Sequence, residues 1–346
     1  MQPIKKILFI GSFLCLLPLL VNAQSTCVQN LRDARNFYDQ GKLNDLPKLL
    51  LKCIDNGFSK EEKVEALRLV TLSYLFNEEQ DKAEQSFLRL LKIEPEFKVN
   101  QESDPTELII LSENYDTDPK FFYGFKLGSS FNIIQITDYY SIYDAAQRGS
   151  YEPPIGFSGG LFFQYPINND FSANLEVLYN YRSTALVRPL ESEEGSSTGI
   201  QTISEIQQWL EVPLLVNYRI PQVQRFLLEA TGGPSLHYLL SSKLSVIGVD
   251  EEINNLDMLN DNYRNQFNVS AILGVRANFK NIGRHYLTVE ALYQHRFINE
   301  VNFNVDRSDL NWMLKDAAYT ESNYKGHAFI LRIGLRFARF NPQLKE

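Results

Sequence analysis

The chain is poor in the residues that usually build reactive or metal-binding sites. It holds 3 cysteines and 4 histidines among 346 residues. Cys53 is the last cysteine, and His237, His285, His295 and His327 are scattered with no pair at helical metal-ligand spacing. No metal and no cofactor is therefore expected. Glycine-rich phosphate loops are missing as well, because Gly128, Gly159, Gly160, Gly232, Gly233 and Gly274 interrupt extended segments instead of opening a helix. Past the N-terminus no apolar run approaches the roughly 20 residues of a spanning helix. The net charge of −8 leaves no basic surplus for nucleic acid, which is excluded as a partner.

What is present begins with a leader. Lys5 and Lys6 precede the apolar run Ile7 to Leu20, and Val21-Asn22-Ala23 offers small residues for cleavage, so residues 1–23 read as a secretory signal peptide. Cys15 lies inside the apolar run without a lipoprotein box around it. Export exposes Cys27 and Cys53 to an oxidising compartment, and the pair reads as a disulfide.

Residues 24–116 carry helical spacing: Leu67, Val70 and Tyr74 in one stretch, Ala83, Phe87, Leu90 and Leu91 in the next. Ser59 with Glu62 forms a capping box, and Asp104-Pro105 with Glu107 signals another helix start. Aligning Cys27 with Val64 pairs Ala34 with Thr71, Phe37 with Tyr74, Leu46 with Ala83, Leu50 with Phe87 and Cys53 with Leu90. These positions resemble the tetratricopeptide pattern, with Glu78 where the family has glycine. That resemblance implies a protein-binding groove, lined on the first helices by Arg35, Tyr38, Arg68, Leu72 and Phe76.

From Phe121 to Phe340 the period changes to two. In the last segment Phe329, Leu331, Ile333, Leu335 and Phe337 share one face while Arg332 and Arg336 take the other. Eight such strands are expected, at about 121–134, 155–165, 171–184, 206–219, 225–240, 264–279, 286–298 and 327–340. Tight turns after the second, fourth and sixth alternate with long connections, among them Ala185 to Glu205, the pattern of an up-and-down transmembrane barrel with both termini in the periplasm. The outward rows end in aromatics. Tyr123, Tyr165, Phe171, Tyr218, Phe226, Phe279 and Phe337 fall at the turn end; Phe131, Phe157, Tyr179, Tyr181, Tyr238, Phe267, Tyr293, Phe297 and Phe329 at the loop end. Aliphatic residues such as Leu175, Leu214 and Leu273 lie between, as two membrane interfaces require.

The inward rows carry Lys126, Glu176, Arg182, Glu211, Arg219, Glu229, Arg276, Glu290, Arg296, Arg332 and Arg336. Eight strands enclose a lumen only wide enough for side chains, so these charges are expected to pair, Glu290 with Arg332 for example. A lumen lined by basic residues is also how a selective channel reads. Catalysis has little support: His295 would need a serine such as Ser183 or Ser322, and no triad can be written.

From residue 120 to 340 the chain resembles the PorT-type outer-membrane barrel domains of Bacteroidetes. The residues concerned are Trp209-Leu210-Glu211-Val212-Pro213-Leu214-Leu215, Gly232-Gly233-Pro234-Ser235, Val289-Glu290-Ala291-Leu292-Tyr293 and Leu331-Arg332-Ile333-Gly334-Leu335-Arg336-Phe337. The resemblance implies an OmpA-like eight-stranded barrel, and the founding member belongs to the type IX secretion machinery. The combined expectation is a signal peptide (1–23), a periplasmic tetratricopeptide-like α domain (24–116) and a transmembrane β domain (121–340). Such a protein is no enzyme. It contacts outer-membrane lipid and holds an envelope protein through its helical domain, as an adaptor in a secretion, gliding or envelope complex. The alternatives are a surface ligand-binding or small-solute transport barrel, using Tyr139, Tyr140, Tyr143, Tyr151 and Trp312 of the long loops, and a lipid A-modifying enzyme.

Overall fold

The structure, a computed structural model, describes residues 18–138, 140, 150–152, 155–191, 197–221, 226–248, 252–260, 262–280, 285–306, 308–310 and 321–345. Most of the expected leader, together with Tyr139, Tyr143 and Trp312, lies outside the described residues. The chain divides into two compact units, one reaching to Pro119 and including Phe340–Glu346, the other Lys120–Arg339.

The first unit is helical: α1 Pro18–Asp39, α2 Leu46–Asp55, α3 Lys60–Phe76, α4 Gln80–Ile93 and α5 Thr106–Glu113. α3 starts where its capping box predicts. Ser59 Oγ accepts from Glu62 N at 3.3 Å, and the Glu62 carboxylate accepts from Ser59 N at 2.8 Å. Asp104, by contrast, does not cap α5; its carboxylate accepts from Asn100 N at 2.7 Å and pairs with Arg68. The positions matched by the internal alignment share their burial. Ala34, Leu46, Leu50 and Cys53 are in one core with Thr71, Ala83, Phe87 and Leu90. Cys27 and Cys53 are bonded, tying α1 to α2. Tyr115–Asp116 pairs with Gln343–Leu344 and closes this unit.

The turns between paired helices differ in strain. Gly41 takes φ 72° between α1 and α2, with open space around it, so glycine is there for conformation alone. The equivalent turn between α3 and α4 puts Glu78 at φ 60°, a left-handed backbone on a residue with a Cβ.

The second unit is a ring of antiparallel strands: β1 Pro119–Asp138, β2 Ile155–Pro166, β3 Phe171–Glu191, β4 Ser197–Ile220, β5 Leu227–Ile247, β6 Phe267–Lys280, β7 His285–Arg296 and β8 Asn323–Phe340. Each pairs with its neighbours in sequence, and β8 pairs with β1, so every strand has a partner along both edges. The β2–β3 turn is set by Asn168, whose Oδ1 accepts from Asp170 N at 2.9 Å and Phe171 N at 2.7 Å.

One expectation fails here. Residues 185–191 and 197–205 are strand and not loop, because the β3–β4 ladder continues through Ala185↔Ser204 and Arg188↔Gln201 to Glu191↔Ser197. β5 likewise runs on to Ile247, and Ile253–Asp257 adds to it. In this extension the pattern becomes mixed. Outward, Ser183, Ala185, Ser204 and Gln208 stand in the same rows as exposed Ile200 and Ile247, while inward Leu186, Ile203, Leu244 and Val246 pack on Met258, Tyr263 and Leu310 beside buried Arg188, Gln201 and Glu205. The pairing continues, but the outer face is no longer continuously apolar.

Two outcomes follow for the helical unit. Replacing Cys27 and Cys53 together by serine is expected to lower its stability by about 3 kcal/mol on the chain-entropy estimate, read as a shift of its urea transition in the full chain. Glu78→Gly is expected to raise stability by about 1 kcal/mol by removing left-handed strain; an unchanged midpoint would show that the turn carries none.

Candidate functional site in the strand-ring interior

The two faces of the ring are inverted relative to a water-soluble sheet. Outward-facing Leu161, Leu273 and Leu331 are 67%, 65% and 68% exposed, and they belong to a continuous apolar surface with Leu127, Leu214 and Ile333. A patch of that extent is not sustainable in water. The aromatic bands stand where the pattern puts them, with Phe171 against Tyr218 (ring centroids 5.1 Å) at the turn end and Tyr238 against Phe267 (5.0 Å) at the loop end.

Inside, buried glutamates and basic residues form a ladder along the ring axis. At its centre Glu176 Oε1 accepts from Lys126 Nζ at 2.5 Å and from Arg276 Nη2 at 3.4 Å, and its Oε2 accepts from Arg332 Nη1 at 3.2 Å. Glu290 Oε1 accepts from Lys126 Nζ and Arg276 Nε, both at 2.6 Å. Toward the turns Glu229 lies 3.6 Å from Arg276 and 3.7 Å from Arg336, whose guanidinium covers the Phe122 ring. Toward the loops Glu211 accepts from Gln294 Nε2 at 2.8 Å and lies 3.8 Å from Arg332. Taking ions out of water is costly unless partners and hydrogen bonds replace the hydration shell. The stack gives each ion an opposite charge within 4 Å, while Glu229 Oε2, Glu290 Oε2, Arg332 Nη2 and Arg336 Nε are buried without a hydrogen bond.

Above Glu211 sits Trp209, fully buried. Arg182 and Arg296 lie over its ring at 5.5 and 5.0 Å, and its Nε1 donates to Gln207 Oε1 at 2.9 Å. The cavity beside it, lined by Asn132, Asn180, Arg182, Glu211, Gln294 and Arg296 among others, has a volume of about 10 Å³. That is room for about one water molecule.

Strand backbones come close enough for this packing because of two glycines. A Cβ on Gly128 would lie 2.4 Å from Arg332 Cγ, and one on Gly334 would lie 2.9 Å from Lys126 Cγ. Each glycine on β1 or β8 makes room for the cation on the other.

Ten of the eleven residues expected inside are buried; Arg219 is not. It has the inward parity but sits at the turn-end rim, one residue before β4 ends, where water reaches it. The expected Glu290–Arg332 ion pair is also corrected. The two are register partners, yet Glu290 bonds Lys126 and Arg276 while Arg332 reaches across to Glu176. Long side chains in a narrow lumen find partners across the axis as readily as along the ladder.

Sequence reasoning missed the upper tier. Glu300 binds Arg296 Nη1 at 3.0 Å and also Arg182. Arg264 donates to Glu205 Oε1 at 2.8 Å and Oε2 at 2.7 Å, and pairs with Glu321. Glu300 and Glu321 lie outside the regular strands, so parity could not find them; Arg264 falls in the expected strand 264–279 with the inward parity of Arg276 and was passed over, and the observed strand begins only at Phe267. Inward parity does reach Glu205, but only once the strand is known to extend.

The expected helical groove is changed too. Leu72 is buried in the helical core, 4% exposed, and cannot line an open surface. Arg68 is paired with Asp104, and Arg35 with Glu65 at 2.5 Å, whose hydrogen bonds and charge raise the guanidinium pKa. Tyr38 packs partly against the core, whereas Phe76 is 64% exposed. Among the described residues no bond joins Ser183 or Ser322 to His295; Ser322 Oγ donates to Tyr140 O at 3.3 Å.

Glu176→Gln leaves Lys126, Arg276 and Arg332 short of one anion. The expected loss is about 3–5 kcal/mol, seen as a lower temperature for the gel-mobility shift between folded and unfolded protein. Arg219→Ala, at the wet rim, is expected to leave that temperature unchanged.

Comparison with known proteins gives the family. Residues 112–302 match the model of the outer membrane protein beta-barrel domain, more than half of the chain. A search of curated proteins gives no match. Among solved structures, the chain is similar to Ail, the attachment invasion locus protein of Yersinia pestis, at 15% identity and TM-score 0.30, over 63% of this chain and 99% of that one. OprG from Pseudomonas aeruginosa matches at 10% identity and TM-score 0.31, over 64% and 95%. The protease OmpT from Escherichia coli matches at 10% identity and TM-score 0.30, over 63% and 96%. With its apolar exterior and ion-paired interior, the chain belongs to the outer membrane protein beta-barrel domain family.

Proposed function

We propose that this protein is a non-enzymatic outer-membrane anchor. A closed eight-stranded barrel of the PorT type holds a tetratricopeptide-like helical unit in the periplasm, where that unit binds another envelope protein in a secretion, gliding or assembly complex. The observation that carries this reading is the interior, where Lys126, Arg276 and Arg332 converge on Glu176 and, among the described residues, the cavity between Glu211 and Arg296 is about 10 Å³. A hydrated solute has no path through a lumen packed with paired side chains. The work then falls to the exterior, and the helical unit offers Phe76 as an exposed aromatic, the residue class that anchors protein interfaces.

A second reading rests on the loop end. The apolar cluster of Leu186, Ile203, Leu244, Val246 and Met258 builds an ordered platform beyond the outer aromatic band, suited to presenting a surface to an extracellular ligand. Exchanging these loops, or deleting residues 24–116, separates the two: whichever change abolishes the phenotype locates the function.

For the anchor reading, a photo-cross-linking amino acid at position 76 is expected to give one discrete adduct in intact cells. Phe76→Asp is expected to abolish co-purification of the same partner while leaving the barrel folded. In planar bilayers the purified protein is expected to show no conductance steps above background, and regular steps would sink the sealed-lumen argument.

A further inference from the structure

β7 and β8 bring together two histidines that lie 32 residues apart in sequence. His295 and His327 are register partners on the outward face, both half-buried, at the level of the loop-end aromatics. Their Nδ1 atoms are 2.8 Å apart and hydrogen-bonded, so without a metal His295 donates from Nδ1 to His327 Nδ1, and binding an ion between them shifts the His295 proton to its Nε2. His327 Nε2 lies 2.6 Å from Gln135 Oε1, an acceptor, so the ring proton belongs on Nε2 and Nδ1 carries the lone pair. Tyr293 stacks on the His327 ring with its hydroxyl 3.1 Å from the same Nδ1, and Phe297 meets the His295 ring edge to face. The imidazoles are therefore held in orientation by groups on β1 and on β7 and its end.

We propose that His295 and His327 form a cross-strand chelate for a divalent transition ion, with Cu²⁺ or Ni²⁺ preferred over Zn²⁺. The preference follows from the bite. With metal–nitrogen bonds of about 2.0–2.1 Å, nitrogens at this spacing subtend roughly 85–90° at the ion. That suits a square-planar or tetragonal centre, whereas a tetrahedral ion asks for a spacing of about 3.3 Å. The orienting bond from Gln135 is the kind of partner that holds a ligating imidazole in the right tautomer. Among the described residues no cluster of three or more His, Cys, Asp or Glu is arranged around a metal, so water completes the coordination. A reading of spacing along the sequence cannot see this site, because a strand-pair chelate is defined by register between segments.

The test is titration of the detergent-solubilised full chain, carrying no histidine tag, with Cu²⁺, followed by calorimetry and by nitrogen hyperfine structure in the electron paramagnetic resonance spectrum. One ion per chain with two equatorial nitrogens is expected. His295→Ala and His327→Ala should each weaken binding by about 100-fold, Gln135→Ala by about 10-fold. His285→Ala, at the other end of β7, should change nothing. Zn²⁺ should bind more weakly than Cu²⁺ at the same site. Copper bound equally well by the double variant His295→Ala/His327→Ala overturns the proposal, as does a spectrum with a single nitrogen. Unchanged gel-mobility shifts on heating show that the variants keep the barrel.

Discussion

Charge balance in a lumen with almost no water is the constraint on which the rest of the barrel depends. An eight-stranded ring has no space to hydrate the ions on its inner face, so each must meet an opposite charge or a polar side chain. Lys126 shows how tightly this is met. It is 1% exposed and lies between two carboxylates, Glu176 and Glu290, with its ammonium also over the Phe162 ring at 4.5 Å. Its neighbour on the adjoining strand β8, Arg332, bridges Glu176 to the Glu211 tier. Because one carboxylate serves several cations, the network holds β1, β3, β6, β7 and β8 together by side chains as well as by backbone ladders. A single charge deletion therefore acts on many strands at once.

The change of pattern along β3, β4 and β5 marks one edge of the apolar band from the protein's own chemistry. Below Tyr181 and Leu210 the strands are greasy outside and charged within; beyond them Ser183, Ser204 and Gln208 interrupt an outward row that still holds exposed Ile200 and Ile247, and an apolar cluster forms inside. The β4–β5 ladder passes this edge with a register shift at Gln208/Trp209. What changes is that apolar and ionic residues now share the interior. Arg264 with Glu205 and Glu321 remains buried above this boundary, so the inner ion pairs continue into the extension.

Much of this was legible in the alternation itself. Parity along Phe329 to Phe337 separates lipid-facing from lumen-facing residues without any structure, and the aromatic ends of the rows mark the two interfaces. Three kinds of residue escaped. Arg219 has inward parity but lies at a wet rim, and parity says nothing about depth. Residues 185–205 read as loop because the hydrophobic contrast fades there, although backbone pairing needs no such contrast. Glu300 and Glu321 enter from irregular segments, whereas Arg264 stood at inward parity in the expected strand 264–279 and was overlooked. In the helical unit the repeat alignment placed the core well, yet it put Leu72 on a surface, because a helix packed by neighbours on two sides buries more than one stripe.

Partner choice inside the lumen is the feature least accessible to sequence, and its cause is geometric. Glu290 and Arg332 face each other in register, yet both bond elsewhere. A guanidinium can reach as far as the lumen is wide, so ladder neighbours hold no advantage over residues across the axis. The choice is then made by which arrangement leaves the fewest charges unmatched over the whole stack. Gly128 and Gly334 enter that selection directly, since the space they leave lets Arg332 and Lys126 lie against the opposing backbone and extend toward the centre. The narrowness that forbids water inside is thus also what lets one carboxylate, Glu176, serve three cations at once.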